Sequence, residues 1–205
     1  MGADSAAPDL PGLPWQAVDL GDPATPDRLV ADHLTRFGSI DALVAVHARS
    51  SDQDLATVTA AEMDTSFAVN ARATVLLVRA AARAGARRVV LFTTGVHRAP
   101  MPTEIPYAMS KAAIQGITAS LAAALAGSGT TVNCVNPGPV DTGYADPDAH
   151  AFVASRMPIA PRWGEPDDIA GVVAWLLSDD AAWITGQTID FDGGWSLLPG
   201  VPPRP

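Results

Sequence analysis

Tyr107 and Lys111 are the residues in this sequence whose types and spacing point most directly to chemistry. Residues four apart in a helix lie on one face, so a helix over residues 107–126 brings the phenol and the ammonium together. A neighbouring ammonium lowers the pKa of a phenol that ordinarily titrates near roughly 10, and this predicts a proton donor and acceptor usable near neutral pH. Lys111 is the only lysine among 13 basic residues, and Tyr107 is one of two tyrosines. Because lysine can be deprotonated and arginine cannot, the pair indicates acid–base chemistry; the alternative is an exposed lysine beside a partly buried tyrosine.

The composition is typical of one globular domain spanning residues 1–205, with 48% hydrophobic and 17% charged residues. The net charge of −9 disfavours nucleic acid and anionic membrane surfaces as partners. The first twenty residues show no secretory signal, and the apolar runs are too short to span a bilayer, so we expect a cytoplasmic protein. The single cysteine, Cys134, is expected to be a buried thiol. The histidines at 33, 47, 97 and 150 lack metal-ligand spacing, which predicts no metal site.

Strand and helix signals alternate along the chain. Strands are predicted at residues 15–20, 40–46, 88–94, 131–136 and 187–192. Helices are predicted at residues 25–37, 59–84, 107–126, 149–156 and 166–177, with a loose arm over 1–14 and a tail over 199–205. This alternation predicts an α/β fold in which helices cover both faces of a parallel sheet.

Across residues 15–195 the sequence resembles the short-chain dehydrogenase/reductase superfamily, and several motifs in order carry that resemblance. The motifs are Val18-Asp19-Leu20, Phe67-Ala68-Val69-Asn70, Thr94, Tyr107 with Lys111, Asn136-Pro137-Gly138-Pro139-Val140-Asp141-Thr142, Ile184-Thr185-Gly186-Gln187 and Asp192-Gly193-Gly194. The resemblance implies a Rossmann-like sheet and chemistry that uses NAD or NADP.

The resemblance also implies a role for each motif residue. Tyr107 is the general acid or base, and Lys111 lowers its pKa and holds the cofactor ribose. Thr94 stands where the family has its catalytic serine, and Asn70 holds a water in a proton relay to the lysine. The implied cofactor-binding residues are Asp19 near adenine and Pro137, Gly138, Val140 and Thr142 near the nicotinamide carboxamide.

Two departures from the family pattern concern the adenosine side of the cofactor site. The 205 residues contain no Gly-x-x-x-Gly-x-Gly segment, and Ala45-Val46-His47-Ala48 stands where the family has Asn-Asn-Ala-Gly. We therefore expect the ADP half of a dinucleotide to be poorly held. The family's first two strands have no counterpart either, which predicts about five strands, with residues 15–20 paired beside residues 40–46.

Three functions follow from these observations. The first is a nicotinamide-dependent oxidoreductase acting on a ketone or secondary alcohol. The second is a cofactor-independent dehydratase, isomerase or cyclase that uses the same Tyr107 and Lys111 centre. The third is a non-catalytic subunit, paired with a complete homologue through the helices containing Asn70 and Tyr107; a homo-oligomer through the same helices is also expected.

The substrate is expected to be a small molecule. Apolar and aromatic loop residues suggest its pocket or, alternatively, loop packing: Met101, Ile105, Tyr144, Met157 and Trp163. Tyr107 and Lys111 are predicted to face one cavity, with Asn70 and Thr94 within reach of a side chain. His47 and His97 are interpreted as surface or loop residues.

Overall fold

A parallel four-stranded sheet forms the centre of the protein in the computed structural model, which describes residues 14–98 and 100–197. The strands are β1 (Ala42–Ala45), β2 (Arg88–Phe92), β3 (Thr131–Asn136) and β4 (Thr188–Asp190), in the order β1-β2-β3-β4. All six residues of β3 are buried, as predicted for this strand, which is covered on both faces. The register places Leu43 beside Val89, and Val89 beside Val132.

Six α-helices and one π-helical turn connect and cover these strands. They are α1 (Thr25–Phe37), α2 (Ala60–Ser66), the π-helical turn Phe67–Arg72, α3 (Ala73–Arg83), α4 (Ile105–Leu125), α5 (Pro147–Ala154) and α6 (Pro166–Leu177). Local sequence explains the helix ends. Thr59 caps α2 by accepting a hydrogen bond from the Glu62 N–H, and Gly38 ends α1 with a φ of 81° that other residues rarely adopt.

The helices lie on both faces of the sheet, which confirms the predicted α/β architecture. On one face Val78 of α3 and Ile114 of α4 pack against Leu91. Cys134 belongs to the same cluster and is fully buried, as expected. On the opposite face Leu176 of α6 packs against Val90. The carboxyl ends of the parallel strands therefore share one edge, where the loops that follow them meet.

The predicted strand over residues 15–20 is wrong, so the sheet of the described chain has four strands instead of about five. The segment lies along α1, where the Gln16 side-chain amide donates to Asp32 over 3.2 Å. It then turns at Asp19, whose carboxylate accepts the Gly21 N–H over 2.7 Å. The free edge of β1 leaves Val44 40% exposed.

Two sequence predictions, the N-terminal arm and the C-terminal tail, concern residues that the structure does not describe. Residues 1–13 and 198–205, which include the predicted tail and nearly all of the predicted arm, lie outside the described residues. Among the helices of the described chain, none is long and apolar enough to cross a membrane.

Candidate active site

The candidate acid–base residues meet where three elements converge at the carboxyl edge of the sheet. Thr94 follows β2, Asn70 lies in the π-helical turn, and Tyr107 and Lys111 occupy the first two turns of α4. Pro106 stands in the first turn of α4, where its missing N–H costs nothing. These elements bring together four residues that are up to 41 positions apart in the sequence.

Asn70 is a fully buried anchor between the π-helical turn, the loop after β1 and α4. Its amide oxygen accepts the Arg49 N–H over 2.6 Å, and its amide nitrogen donates to the Arg49 carbonyl over 2.9 Å. The same nitrogen donates to the Ser110 hydroxyl over 2.8 Å, which in turn donates to the Tyr107 carbonyl over 2.7 Å. Asn70 therefore fixes the backbone beneath Tyr107, a contact that the sequence motif alone did not specify.

Lys111 is only 2% exposed and lies beneath the Tyr107 ring. Its ammonium donates to the Phe92 carbonyl over 3.1 Å and lies 3.5 Å from the His47 carbonyl and 5.9 Å from the Tyr107 ring centroid. Burial lowers the Lys111 pKa from its ordinary value of 10.5 to about 8, because the charged form loses hydration. The retained lysine is thus held as a titratable group near neutral pH, in contrast to the alternative of an exposed side chain.

The pKa of Tyr107 moves in the direction opposite to the one predicted. It rises from 10.0 to about 12, first because the phenol is buried and then because of the charges of Glu104 and Tyr144. Lys111 does not lower it as expected, since the ammonium lies against the Phe92 and His47 carbonyls and the ring face. The phenol of the protein alone is therefore protonated throughout the neutral range.

Thr94 lies where the resemblance places a catalytic serine. A hydrogen bond with Thr94 lowers the Tyr107 pKa, against the larger effect of burial. The Thr94 hydroxyl also lies 3.8 Å from the Met101 sulfur, a long and weak contact. The two hydroxyl groups, of Thr94 and Tyr107, thus form one polar pair at the end of β2.

His47 is more deeply placed than a surface residue. Its Nε2 lies 3.0 Å from the Val69 carbonyl in the π-helical turn and 3.3 Å from the Thr74 hydroxyl. A carbonyl oxygen only accepts, so Nε2 carries a proton and donates it to the Val69 carbonyl. Burial, followed by the charge of Lys111, lowers the His47 pKa from 6.5 to about 4.

We expect His47 to make the fold sensitive to acid. In the unfolded chain His47 takes up a proton at its ordinary pKa of 6.5, whereas the folded protein resists it down to about 4, so stability falls as the pH falls through this window. The contribution lost between pH 7 and pH 5 is about 2 kcal/mol of unfolding free energy. Urea unfolding of wild type and His47→Gln at both pH values measures it. The glutamine side chain keeps an N–H donor but does not titrate. The His47→Gln variant should therefore lose less unfolding free energy between pH 7 and pH 5 than wild type does. The control is His33→Gln, which replaces an exposed histidine. An equal loss of unfolding free energy in His47→Gln and in wild type would contradict this prediction.

The loop after β3 contains the residues predicted to meet nicotinamide, and it is pinned at several points. The Gly138 N–H donates to the Asn136 side chain over 3.2 Å. Gly138 has a φ of 64°, and a Cβ there would lie 2.5 Å from the Asp192 Cβ, so this position excludes other residues. Val140 pairs with Gly164 in a parallel bridge. Pro137 and Val140 are half-buried, and Thr142 is exposed.

On the adenosine side of the cofactor site, the residues in question are already engaged with other groups of the chain. Asp19 is exposed, with its carboxylate turned onto the Gly21 N–H. Arg49, the basic residue nearest the altered segment after β1, is held by Glu62 through two hydrogen bonds of 3.0 and 2.8 Å. That guanidinium is therefore already neutralised by a carboxylate.

The predicted pocket residues do not form one wall. Trp163 is 2% exposed, so it supports the loops instead of lining a cavity. Tyr144 is 58% exposed and meets the Trp163 ring edge-on, with the centroids 5.7 Å apart. Met101 and Ile105 line an apolar depression on the side of α4 that carries Met109, away from the Tyr107 face.

Sequence reasoning did not identify two residues of this site, Ser110 and Glu104. Ser110 joins Asn70 to the Tyr107 carbonyl, and its position directly before Lys111 was the available signal. Glu104 lies three residues before Tyr107 and raises its pKa. Among the described residues, no three His, Cys, Asp or Glu side chains are grouped so that they could hold a metal ion.

Comparisons with known proteins identify the family of the chain. A family profile described as enoyl-(acyl carrier protein) reductase matches residues 3–196. An uncharacterised oxidoreductase of Bacillus subtilis, YjdA, is 35% identical over 184 residues, which are 87% of this chain and 73% of that protein. The short-chain dehydrogenase/reductase FrzI of Cladobotryum is 35% identical over 181 residues, 82% of this chain and 70% of FrzI.

Solved structures give the same result. A Serratia marcescens short-chain dehydrogenase/reductase mutant superposes with a TM-score of 0.79 at 33% identity, covering 87% of this chain and 74% of that one. LugOII, described as a promiscuous reductase that catalyses keto-reduction at C1 during lugdunomycin biosynthesis, superposes with a TM-score of 0.80 at 34% identity, covering 88% and 75%. The chain belongs to the short-chain dehydrogenase/reductase family of oxidoreductases.

Proposed function

We propose that the chain reduces a ketone to a secondary alcohol, with Tyr107 as the general acid. The observation that carries the proposal is the position of Tyr107, whose buried ring lies 5.9 Å from the Lys111 ammonium in the first turns of α4, beside the end of β2 where Thr94 lies. When hydride adds to a carbonyl carbon, negative charge develops on the oxygen, which needs a proton donor. A phenol whose pKa is about 12 is present in its acid form at neutral pH. It is nevertheless a stronger acid than an aliphatic alcohol, so this pKa favours reduction over oxidation.

Each neighbouring residue has a distinct role in this proposal. Thr94 donates a hydrogen bond that orients the carbonyl oxygen toward the Tyr107 hydroxyl. Lys111, with a pKa near 8, holds a proton close to the phenol and can return one to the phenolate left after transfer. Asn70 and Ser110 act as positioning residues, because they hold the Tyr107 backbone without touching the reacting atoms.

A nicotinamide dinucleotide would supply the hydride, which no side chain can. The loop from Pro137 to Thr142 fits the nicotinamide half, since Gly138 allows the close approach of the loop to Asp192 and Thr142 presents an exposed hydroxyl. Arg49 does not fit the phosphates, because Glu62 already neutralises it. The proposal therefore includes a cofactor whose ADP half is poorly held.

The cofactor-independent dehydratase, isomerase or cyclase is the second candidate. The Arg49–Glu62 ion pair favours it, since it removes a basic group from the adenosine side while leaving Tyr107 and Lys111 in place. Such an enzyme would use the same phenol on an enolate or alkoxide and would need no hydride.

The proposal includes an oligomer interface formed by the helices around Asn70 and Tyr107. Large apolar side chains remain exposed on the π-helical turn that contains Asn70, on α3 directly after it, and on α4: Phe67 45%, Val75 36%, Met109 36% and Ile117 38%. A second copy, or a related complete family member, would cover them. We expect Ile117→Arg to lower the average mass in sedimentation equilibrium, because it places a charge in that interface. An unchanged mass for a wild-type oligomer would place the interface elsewhere.

A product assay tests the proposed function. The purified chain is incubated with NADH or NADPH and an aryl methyl ketone, and the alcohol is quantified together with nicotinamide absorbance. Alcohol formed in step with dinucleotide consumption supports a reductase. The second candidate would be supported instead if no alcohol formed and no dinucleotide were consumed, while a hydroxyketone lost water or isomerised in a reaction that depended on Tyr107.

A further inference from the structure

We propose that Glu104 and Tyr144 select the substrate of this site, and that the substrate is an uncharged aryl ketone and not a carbonyl compound bearing a carboxylate. This inference rests on the proposed ketone reduction. It adds a substrate class to that reaction and assigns the choice to two residues outside the acid–base centre.

Glu104 brings a negative charge to the entrance of the site. It directly precedes α4, and its carbonyl accepts the Ala108 N–H over 2.8 Å, which fixes the residue one turn before Tyr107. Its carboxylate accepts the Ser50 hydroxyl over 3.2 Å and forms no ion pair within the described chain. Its charge raises the Tyr107 pKa, so the phenol experiences the field of this carboxylate.

The basic groups around Thr94 and Tyr107 are already occupied. His97 and Arg98, in the turn after Thr94, lie 3.5 and 3.4 Å from the carboxylate of Asp190. Lys111 is buried and donates to the Phe92 carbonyl. A substrate carboxylate at the entrance of the site would therefore meet the charge of Glu104, while the Lys111 ammonium lies beneath the Tyr107 ring and against the Phe92 carbonyl.

Tyr144 supplies an aromatic flank for the same space. Tyr144 lies two residues after Thr142 in the loop that follows β3, and it raises the Tyr107 pKa. Its ring is braced edge-on by buried Trp163, whose indole N–H donates to the His150 carbonyl over 2.9 Å. More than half of the Tyr144 side chain stays exposed, so a substrate ring can pack against it.

Matched acetophenones test the charge selection. The probes are 4-methylacetophenone and 4-acetylbenzoate, which differ in charge at the same ring position. We expect wild type to prefer the methyl compound. In Glu104→Gln the catalytic efficiency, kcat/KM, toward the carboxylated probe should rise relative to the methyl probe by about 5-fold or more at low salt. Asp64→Asn, which removes one charge from exposed α2, is the matched control and should leave that ratio unchanged.

A pH profile separates this role from a structural one. Glu104→Gln removes a charge that raises the Tyr107 pKa, so the alkaline limb of catalytic efficiency with the methyl probe should move to lower pH. Tyr144→Leu should lower the preference for acetophenone over cyclohexyl methyl ketone by about 3–10-fold, because it removes the ring contact.

The outcomes are distinguishable from those of the proposed function. If neutral ketones are reduced and Glu104→Gln changes the probe ratio no more than Asp64→Asn, the charge selection is wrong while the reductase stands. If no ketone is reduced, the proposed function is wrong. Saturation-transfer NMR binding of the two probes then decides the selection: stronger 4-acetylbenzoate binding to Glu104→Gln supports it, and unchanged binding overturns it.

Discussion

Replacing Tyr107 by phenylalanine should lower kcat for ketone reduction by about 10²–10⁴-fold, the range expected when a general acid is removed. Phenylalanine keeps the ring that lies 5.9 Å from the Lys111 ammonium, so the substitution deletes the hydroxyl and little else. Single-turnover alcohol formation measures the loss under saturating cofactor. The melting temperature of the variant checks that its fold is retained.

Thr94→Ser is the matched comparison for this prediction. Serine keeps the hydroxyl that bonds with Tyr107 and removes only the branching methyl, which frees the χ1 rotamer. Its activity should stay close to that of wild type, far above that of Tyr107→Phe. Unchanged turnover in Tyr107→Phe would rule out both catalytic hypotheses, since each of them uses the same phenol.

The fold was predictable wherever one local pattern determined an element. The predicted bounds of β3 and α6 agree with the structure, because the short segment that follows the Gly127-Ser128-Gly129 turn and the Pro-Asp-Asp helix start are both local signals. The strand predicted over residues 15–20 was wrong, because strand formation depends on a partner strand as well as on apolar content. That segment contacts Asp32 of α1 instead.

The proximity of the candidate site residues was predictable from the sequence, but the electrostatics of the candidate site was not. The i, i+4 spacing placed Tyr107 and Lys111 together, as helix geometry requires. The direction of the Tyr107 pKa shift depended on burial and on Glu104, which no spacing reveals. The burial of Trp163 and the contact of His47 with Val69 likewise depend on how distant segments pack. Sequence patterns thus predicted which candidate residues lie together, while the packing of the fold determined the direction of their pKa shifts.

The site also predicts how a dinucleotide should bind. We expect the 205-residue chain to bind NADH or NADPH weakly, with a Kd of roughly millimolar order, because little of the affinity can come from the ADP half. The sequence has no Gly-x-x-x-Gly-x-Gly segment to present backbone N–H groups to a pyrophosphate. Arg49 is held by Glu62, and the net charge of −9 adds repulsion toward phosphates.

Comparing NADH with reduced nicotinamide mononucleotide tests this directly. Both carry the group that Thr142 and Lys111 are expected to hold, but only NADH has the adenosine half. If that half contributes little, the two Kd values from nicotinamide fluorescence should agree within about threefold, a difference below roughly 1 kcal/mol.

Glu62→Gln releases Arg49 and should strengthen NADH binding selectively, because the freed guanidinium can pair with a phosphate. Submicromolar NADH binding by wild type, far tighter than the mononucleotide, would mean that other residues hold the phosphates. Absence of binding, together with Tyr107-dependent turnover, would favour the cofactor-independent enzyme.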